Sequence, residues 1–377
     1  MNGGLRLRKL EPRADWQVAL AITVVLRTVY SGIAAIAAVF VHPDARLIHS
    51  NALTENLPAP GGWHYALLGI WQRFDSLWYL RIAERGYDLP AGVVFYPLYP
   101  ATIRAVSVAV PAIAAALLVA TIAAFFCFWG LLRLARPELT IQGRMYALLL
   151  FAAWPCSFVM FAGYAESLTL ALIFWAVIFA RNGRWEAAAL CGFLAGLSRP
   201  SGVLAFIPLA VLALRSRQAR SLVVALAPPG LLSYWGWLRW SGRLSVVDTY
   251  RIYHGATLAP PWASVAEALR LILGHGDILL TIKLGLVVLA VGFSLRREVR
   301  LEDKLFALAI ALQMLMYIGR PLLGALRYVL PIYPAFLMLG RYVTRRWRVK
   351  KLMFYLGCLG ILNLAFLWAF LNWSLVF

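Results

Sequence analysis

Apolar stretches recur along the whole length of this 377-residue chain, and they limit its fold more than any other feature. Each is roughly 15–25 residues long, close to the ~20 residues that a helix needs to cross a hydrocarbon core of about 30 Å. Only helices and closed barrels satisfy all their backbone polar groups in lipid, and these stretches are too long and too uniformly apolar for barrel strands. Charged residues make up only 14% of the chain. The sequence therefore predicts an all-α polytopic membrane protein.

The apolar pattern predicts about eleven transmembrane helices in a single domain that covers residues 1–377. Several of the stretches are short for a full crossing, so their ends are expected to lie in loops shielded by protein or water. The predicted spans are residues 16–41, 107–132, 145–161, 167–180, 187–197, 202–214, 222–240, 278–293, 305–318, 328–342 and 352–373.

The net charge of +20 is concentrated in short loops between the predicted spans. Every second loop is basic, which is the positive-inside pattern of a bundle whose N-terminus lies in the cytoplasm. This distribution reports topology, and nucleic-acid binding is set aside as its explanation. The basic clusters are Arg6, Arg8, Lys9 and Arg13; Arg133, Arg136 and Arg144; Arg181 and Arg184; Arg215, Arg217 and Arg220; Arg296, Arg297, Arg300 and Lys304; and Arg345, Arg346, Arg348, Lys350 and Lys351.

Two long segments interrupt the short connections, and the topology places both outside. Residues 42–104 follow the first span and residues 241–277 follow the seventh. Helical spacing predicts an interfacial helix over 63–86 and an amphipathic stretch over 262–273, whereas two prolines predict a break in regular structure over 93–100. This layout puts the chemistry on the outer face, as in an enzyme that acts on lipid-linked substrates. A transporter more often shows internal duplication or paired interrupted helices.

Two carboxylates are candidate catalytic groups. Asp75 lies in RFDSLWYLRIAERGY near the start of the predicted interfacial helix, where it is placed to take a proton from an acceptor hydroxyl. The alternative is a helix-start carboxylate that caps the backbone. Glu166 lies in FAGYAES between two apolar spans, where an unpaired acid is costly and marks a functional site. The alternative there is an acid that anchors an outer loop through one arginine.

Basic side chains on the predicted outer turns are candidate phosphate ligands. Arg199 lies in LSRPSG, and Arg320 and Arg327 bracket the turn GRPLLGALRY. Arg251 and His254, in DTYRIYHG, add candidates on the second outer segment. A guanidinium stays charged and binds phosphate with fork geometry, so several that converge would form a phosphate site. Each alone also fits an ordinary ion pair or a headgroup contact.

Several common signatures are absent from the sequence. It has no HExxH, nucleotide-binding glycine fingerprint, phosphate loop or Asp-x-Asp pair. The four cysteines lie in apolar segments without paired spacing, so neither a disulfide framework nor a metal knuckle is predicted. The first span lacks a small-residue cleavage site and is expected to be a retained anchor. No organic cofactor is implied, and no ligand spacing supports a divalent cation, although one is compatible with the chemistry.

Three blocks of the sequence resemble the PIG-V family, the second mannosyltransferase of GPI-anchor assembly and its prokaryotic relatives. The first block is FDSLWYLRIAERGY followed by VVFYPLYPATIR, which is similar to the family's Trp-Asp pair, IAExGY segment and FFPLxP. The second runs from WPCSFVMFAGYAES to LSRPSGVL, with Tyr-x-Glu-Ser and Arg-Pro elements. The third is LRYVLPIYPAFLMLG. The blocks follow one another in the expected order.

This resemblance implies a GT-C glycosyltransferase that takes a sugar, usually mannose, from a polyprenyl-phosphate donor with inversion at the sugar carbon. By the same resemblance, Asp75 corresponds to the first-loop acid proposed as catalytic base, and Tyr164 belongs to the second block. Phe74 stands where the family commonly has Trp, and Trp78 and Tyr79 stand where eukaryotic members often have His-Phe. These departures leave the acceptor open. The short chain and plain inner loops are typical of a prokaryotic member in the cell membrane.

The sequence therefore predicts an outer-face glycosyltransferase that moves one hexose to a hydroxyl of a glycan or glycolipid acceptor. Asp75 is the predicted base, and Glu166 is expected to orient an acceptor hydroxyl or an arginine. A rival from another class is a non-enzymatic lipid-linked sugar transporter or a scaffold of a glycan-assembly complex, and a rival among enzymes is an oligosaccharide ligase. The predicted substrate-binding residues are Arg199, Arg251, Arg320, Arg327, His254, Trp78, Tyr79 and Tyr164.

Overall fold

A computed structural model describes residues 14–40, 53, 61–322 and 324–374. Residues 42–52 and 54–60 of the first outer segment and the basic N-terminal cluster (Arg6, Arg8, Lys9 and Arg13) lie outside these described residues. Within them the predicted all-α class is confirmed, since the one sheet found there is a pair of antiparallel two-residue strands.

The elements follow one another with short connections. The α-helices are α1 Ala14–Phe40, α2 Gly62–Leu67, α3 Asp75–Arg85, α4 Leu98–Val106, α5 Ala112–Ala135, α6 Ile141–Ala152, α7 Glu166–Arg181, α8 Trp185–Ser198, α9 Phe206–Ser216, α10 Pro229–Trp240, α11 Val246–Tyr253, α12 Pro261–His275, α13 Ile278–Ser294, α14 Leu301–Met314, α15 Ala325–Tyr328, α16 Tyr333–Arg346 and α17 Val349–Leu371. The strands are β1 Thr257–Leu258 and β2 Tyr317–Ile318. The 3₁₀ segments are Gly69–Trp71, Pro90–Val94, Ser157–Phe161, Pro200–Ala205 and Ala219–Leu226.

Four helical segments in the described part of the chain are long and apolar enough to cross a membrane. They are α1, α5, the segment Ala219–Trp240 that ends in α10, and α17. Shorter apolar helices accompany them, namely α6, α8, Pro200–Ser216 and α13. By length and composition the chain is therefore a helical membrane protein.

The first outer segment differs from its prediction. The interfacial helix expected over 63–86 is broken, because Phe74 has a positive φ of 47° and α3 starts anew after it. The break expected over 93–100 is partly wrong, since α4 already starts at Leu98. Pro100 falls in the first turn of α4, where its missing N–H costs no intrahelical bond. In the second outer segment, the amphipathic stretch expected over 262–273 is confirmed as α12.

Two C-terminal elements are shifted from their predicted bounds. The span expected over 305–318 ends with α14 at Met314, and its last residues form β2. The span expected over 328–342 starts as a helix only at Tyr333, where Pro334 in the first turn is already set to a helical φ. Tyr328 instead ends the short helix α15, and this places its side chain near the outer segments.

Glycines allow α8 to pack closely against the elements that follow it. A Cβ at Gly202 would lie 1.9 Å from the carbonyl oxygen of Ala195, and a Cβ at Gly230 would lie 2.0 Å from that of Phe193. Either side chain would displace backbone, as expected where small residues let membrane helices approach one another. The turn after α8 is fixed in this way, and it carries Arg199.

Helix α7 connects two charged ends of the bundle. It begins at Glu166 and ends at Arg181, about 22 Å apart at a rise of 1.5 Å per residue. Arg181 pairs with Asp303 at 2.6 Å and with Glu302 at 3.7 Å, both at the start of α14. We call these the Glu166 end and the Arg181 end. The described parts of both predicted outer segments pack at the Glu166 end, where the predicted site residues also lie.

Candidate active site

Asp75 is presented by a strained turn at the Glu166 end. Phe74 adopts φ 47° and ψ −119°, a conformation that normally requires glycine. Its ring packs 5.7 Å from the ring of Phe370 and 5.2 Å from that of Trp373, which offsets the strain. The Asp75 backbone N–H donates to the Tyr164 hydroxyl at 3.3 Å. The N-cap residue of α3 is Phe74 and not Asp75, and its side chain makes no capping hydrogen bond with any described residue.

Arg73 holds the same turn against the end of α17. Only 2% of Arg73 is exposed. Its Nε donates to the Leu371 carbonyl at 3.2 Å, and its Nη2 donates to the Tyr65 hydroxyl at 2.7 Å. Its guanidinium also lies 4.7 Å from the centre of the Trp373 ring. The position of Asp75 therefore depends on contacts with residues about 300 positions away.

Arg327 joins the two predicted catalytic carboxylates. Its Nη1 donates to Asp75 Oδ2 at 2.8 Å and to Glu166 Oε1 at 3.2 Å. Glu166 Oε1 also forms an ion pair with Arg199. Glu166 is 5% exposed, and a charge buried to this extent needs such partners. Two acids and two arginines thus form one group, which we call the ion cluster (Asp75, Glu166, Arg199 and Arg327).

Tyrosines support the ion cluster. Arg199 Nη2 donates to the Tyr328 hydroxyl at 3.3 Å, and the Tyr164 ring lies 5.7 Å from the Arg327 guanidinium. Tyr79 is almost fully buried, and burial raises the pKa of its phenol well above the usual value. The Tyr328 hydroxyl and the Tyr164 ring therefore orient the two guanidiniums of the cluster.

The ion cluster lies beside a cavity of about 140 Å³. Asp75, Arg199 and Arg327 line this cavity directly, together with His254 and Arg320. Aromatic faces with a few convergent polar groups are typical of a small-molecule site. The aromatic wall consists of Tyr79, Phe95, Tyr96, Tyr250, Tyr317 and Tyr328.

Two uncharged side chains around the cavity each have a buried polar atom without a hydrogen-bond partner in the described part of the chain. These atoms are Gln313 Oε1 and His254 Nε2. Burial lowers the pKa of His254, and the charge of Arg320 acts in the same direction, while a hydrogen bond with the Ala91 backbone and the charge of Asp75 oppose the shift. The imidazole is therefore neutral at pH 7. Since buried polar atoms are normally hydrogen-bonded, a bound molecule is the natural source of the missing partners.

Arg320 is the one arginine lining the cavity that pairs with no carboxylate among the described residues. The β1–β2 pairing sets Leu258 opposite Tyr317 and holds Arg320 beside the turn before β1. The backbone N–H of Gly319 donates to the Glu267 carboxylate at 3.0 Å, which fixes the turn after β2. Arg320 is thus an exposed cation beside the β1–β2 pair, and it pairs with no carboxylate among the described residues.

Two predicted site residues neither line the cavity nor contact the ion cluster, whereas Glu166 and Tyr164 contact Arg327 without lining the cavity. Trp78 stacks on Phe95 with ring centres 5.5 Å apart, so it supports the wall from behind. Arg251 pairs with Asp248 at 2.9 Å, and its side chain is 61% exposed. Both lie on the predicted outer segments, yet neither reaches the ion cluster.

Sequence reasoning missed Gln313 and several tyrosines of the wall. Gln313 lies in the apolar helix α14, and a polar residue inside an apolar span is itself a signal of function. Tyr96, Tyr250 and Tyr317 gave no such signal, because aromatic residues on interfacial segments are common in any membrane protein.

Comparison with protein-family models, curated proteins and solved structures gives no match to this chain. The functional interpretation therefore rests on the residues and geometry of the site.

Proposed function

We propose that this protein is a membrane glycosyltransferase that moves one hexose from a polyprenyl phosphate to a hydroxyl acceptor. One observation carries the proposal. Two acids and two arginines from three distant parts of the chain converge in the ion cluster beside a tyrosine-lined cavity. The same four residues fall in the three blocks that resemble the PIG-V family, so the resemblance and the geometry support each other.

The proposed topology has eleven spans, a cytoplasmic N-terminus and an outer-face site in a prokaryotic cell membrane. The distribution of charge between the two bundle ends supports it. The basic loop residues Arg133, Arg136 and Arg300 lie near Arg181, whereas the ion cluster lies at the opposite end of α7. Cysteine placed at Gly255 should then react with an impermeant label in intact cells, and cysteine at Ser216 should not.

In the proposed reaction, Asp75 acts as the general base. The acceptor oxygen forms a bond to the anomeric carbon of the sugar as the bond from that carbon to the phosphate oxygen breaks. The phosphate leaves with the electron pair, and the acceptor proton moves to Asp75. Attack opposite the leaving group inverts the anomeric carbon. Arg327 fixes the Asp75 carboxylate toward the cavity, which is the positioning that such a base requires.

Arg320 is proposed as the principal ligand of the donor phosphate. Arg199 and Arg327 are already paired with carboxylates, whereas Arg320 pairs with none among the described residues. A guanidinium beside the leaving oxygen stabilises the charge that develops there. His254 lines the same cavity, and its neutral imidazole is suited to hydrogen-bond a phosphate oxygen or a sugar hydroxyl.

The size and lining of the cavity favour a single sugar. A cavity of about 150 Å³ holds one six-membered ring, and this one measures about 140 Å³. Aromatic faces suit the C–H surface of a hexose, while Gln313 supplies an unpaired acceptor for a hydroxyl. These features support transfer of one hexose over transfer of a whole oligosaccharide. The resemblance to the PIG-V family makes mannose the expected hexose.

The test is a transfer assay with the purified full chain in lipid nanodiscs. The donor is polyprenyl-phosphate mannose with a radiolabelled sugar, and the acceptor is a lipid extract of bacterial membranes. We expect a labelled product whose mannose has the opposite anomeric configuration to that of the donor. A protein that carries labelled donor across proteoliposome membranes, yet forms no product, would support the transporter alternative instead.

A further inference from the structure

A second cavity lies at the Arg181 end, where the bundle carries no predicted catalytic residue. It has a volume of about 480 Å³. Its walls come from the ends of α5 and α7 and from the turn before α14. The lining residues are Arg133, Leu134, Arg136, Pro137, Ile178, Arg181, Asn182 and Arg300. We call this the Arg181 cavity.

Two of its four arginines have a carboxylate partner. Arg181 pairs with Asp303 and Glu302, and Arg300 Nε lies 3.1 Å from Glu138 Oε1. The other two cations, Arg133 and Arg136, make no ion pair with any residue that the structure describes. Positive charge therefore exceeds negative charge around the cavity, even with the nearby acids counted.

Arg181 provides an independent sign of a missing anion. Its side chain is 11% exposed, and its Nε and Nη1 atoms are buried without a hydrogen-bond acceptor among the described residues. Leaving a charged donor buried and unpaired costs more than leaving a neutral one. Positive-inside topology explains basic residues in solvated loops. It does not explain a buried guanidinium beside a cavity with two nitrogens that lack a hydrogen-bond acceptor among the described residues.

We propose that the Arg181 cavity binds a phosphate group. The oxygens of a phosphate group accept hydrogen bonds from several guanidiniums at once. The negative charge of the group matches the excess positive charge of the arginines. The apolar side chains of Leu134 and Ile178 line the same wall, as suits an anionic phospholipid whose tail lies along α5 or α7. Basic pockets between helices on the cytoplasmic side commonly hold such headgroups. A soluble phosphate would satisfy the same donors.

The test measures binding of phosphatidylglycerol, phosphatidylcholine and inorganic phosphate to the detergent-solubilised full chain by native mass spectrometry. The test variant is Arg133→Gln with Arg136→Gln. Neither residue pairs with a carboxylate that the structure describes, so their replacement leaves no described carboxylate without its partner. The matched control is Arg217→Gln with Lys350→Gln, which removes the same charge from exposed positions outside the cavity.

We expect phosphatidylglycerol to bind more tightly than phosphatidylcholine, and the test pair to weaken that binding roughly tenfold or more. The control pair should change it less than twofold. Binding of phosphatidylglycerol alone identifies a lipid headgroup, and equal competition by inorganic phosphate identifies a soluble anion. The proposal is overturned if the Arg133 and Arg136 substitutions leave binding of phosphatidylglycerol and inorganic phosphate unchanged, or if binding falls equally in the control pair. A test pair that fails to fold is replaced by Arg133→Lys with Arg136→Lys, which must weaken binding more than the control pair.

Discussion

Replacing Asp75 by asparagine separates a catalytic carboxylate from a structural one. Asparagine keeps the shape of the side chain, and its amide oxygen can still accept from Arg327. The Asp75 backbone N–H remains available to Tyr164, and Arg327 keeps its bond to Glu166. The losses are one charge at a helix start, worth about 0.3–1 kcal/mol, and part of a charge-assisted hydrogen bond at a side chain that is 26% exposed. The fold should therefore lose about 1 kcal/mol, in keeping with these typical values.

The effect of the same change on catalysis should be much larger. A positioned general base contributes about 10²–10⁴-fold in rate, which corresponds to roughly 3–5 kcal/mol of transition-state stabilisation. We expect Asp75→Asn to bind the polyprenyl-phosphate donor as the wild type does and to lose at least about a hundredfold in turnover. Donor binding and single-turnover transfer, measured on the same preparation, distinguish the two effects.

Asp88→Asn is the matched control for this experiment. Asp88 lies on the same outer segment and pairs with Arg81 at 2.7 Å, but it does not line the cavity. The two substitutions remove the same charge from a similar ion pair with arginine. Turnover should therefore fall in Asp75→Asn and stay close to the wild-type value in Asp88→Asn. Turnover above about a tenth of the wild-type value in Asp75→Asn, well short of the typical loss, would refute the role of Asp75 as base. Glu166 would then be the remaining acid of the ion cluster to test.

The other predictions concern the walls of the same cavity. Arg320→Ala should weaken donor binding roughly tenfold to a hundredfold, with partial rescue by Arg320→Lys, whereas Arg251→Ala should leave the donor Kd unchanged. Gln313→Leu should raise the free energy of unfolding by about 1 kcal/mol, because it removes a buried unpaired acceptor, and it should slow transfer. A variant that loses both stability and activity would contradict this. Because burial lowers the pKa of His254, the unfolded chain takes up a proton first as the pH falls below about 6.5. Stability should decline from that pH downward, and a melting temperature that declines less steeply in His254→Gln than in the wild type checks this.

Much of the candidate site was predictable because charged residues between or beside apolar spans are uncommon. Glu166 stands out by the cost of an acid between two spans, Asp75 as a carboxylate near the membrane surface, and the two arginines as basic residues on predicted outer turns. Asp75, Glu166, Arg199 and Arg327 all meet in the ion cluster. The pairing itself was not predictable. Arg327 lies 252 positions from Asp75, and no spacing rule on a single helix connects residues so far apart.

The local fold around Asp75 was predicted less well because tertiary contacts override helical propensity there. The spacing over 63–86 favours one helix, but Phe74 interrupts it with a conformation that its aromatic contacts to α17 stabilise. Arg251 illustrates the opposite case. Its position in the sequence is as suggestive as that of Arg320, but in the structure Arg251 pairs with Asp248 and does not line the cavity.

The charges of the site are suited to the proposed reaction at each stage. Three guanidiniums, of Arg199, Arg320 and Arg327, face two carboxylates, of Asp75 and Glu166, so the side chains of the site carry one surplus positive charge. A polyprenyl-phosphate sugar is a phosphodiester with one negative charge, which neutralises that surplus. During transfer Asp75 gains a proton as the leaving phosphate gains a second negative charge, so the total remains balanced. In the proposed reaction, protonation of Asp75 weakens its bond to Arg327 and leaves this guanidinium available to the phosphate as the charge develops there. We therefore propose that the bridge from Arg327 to both acids couples proton uptake by the base to stabilisation of the leaving group.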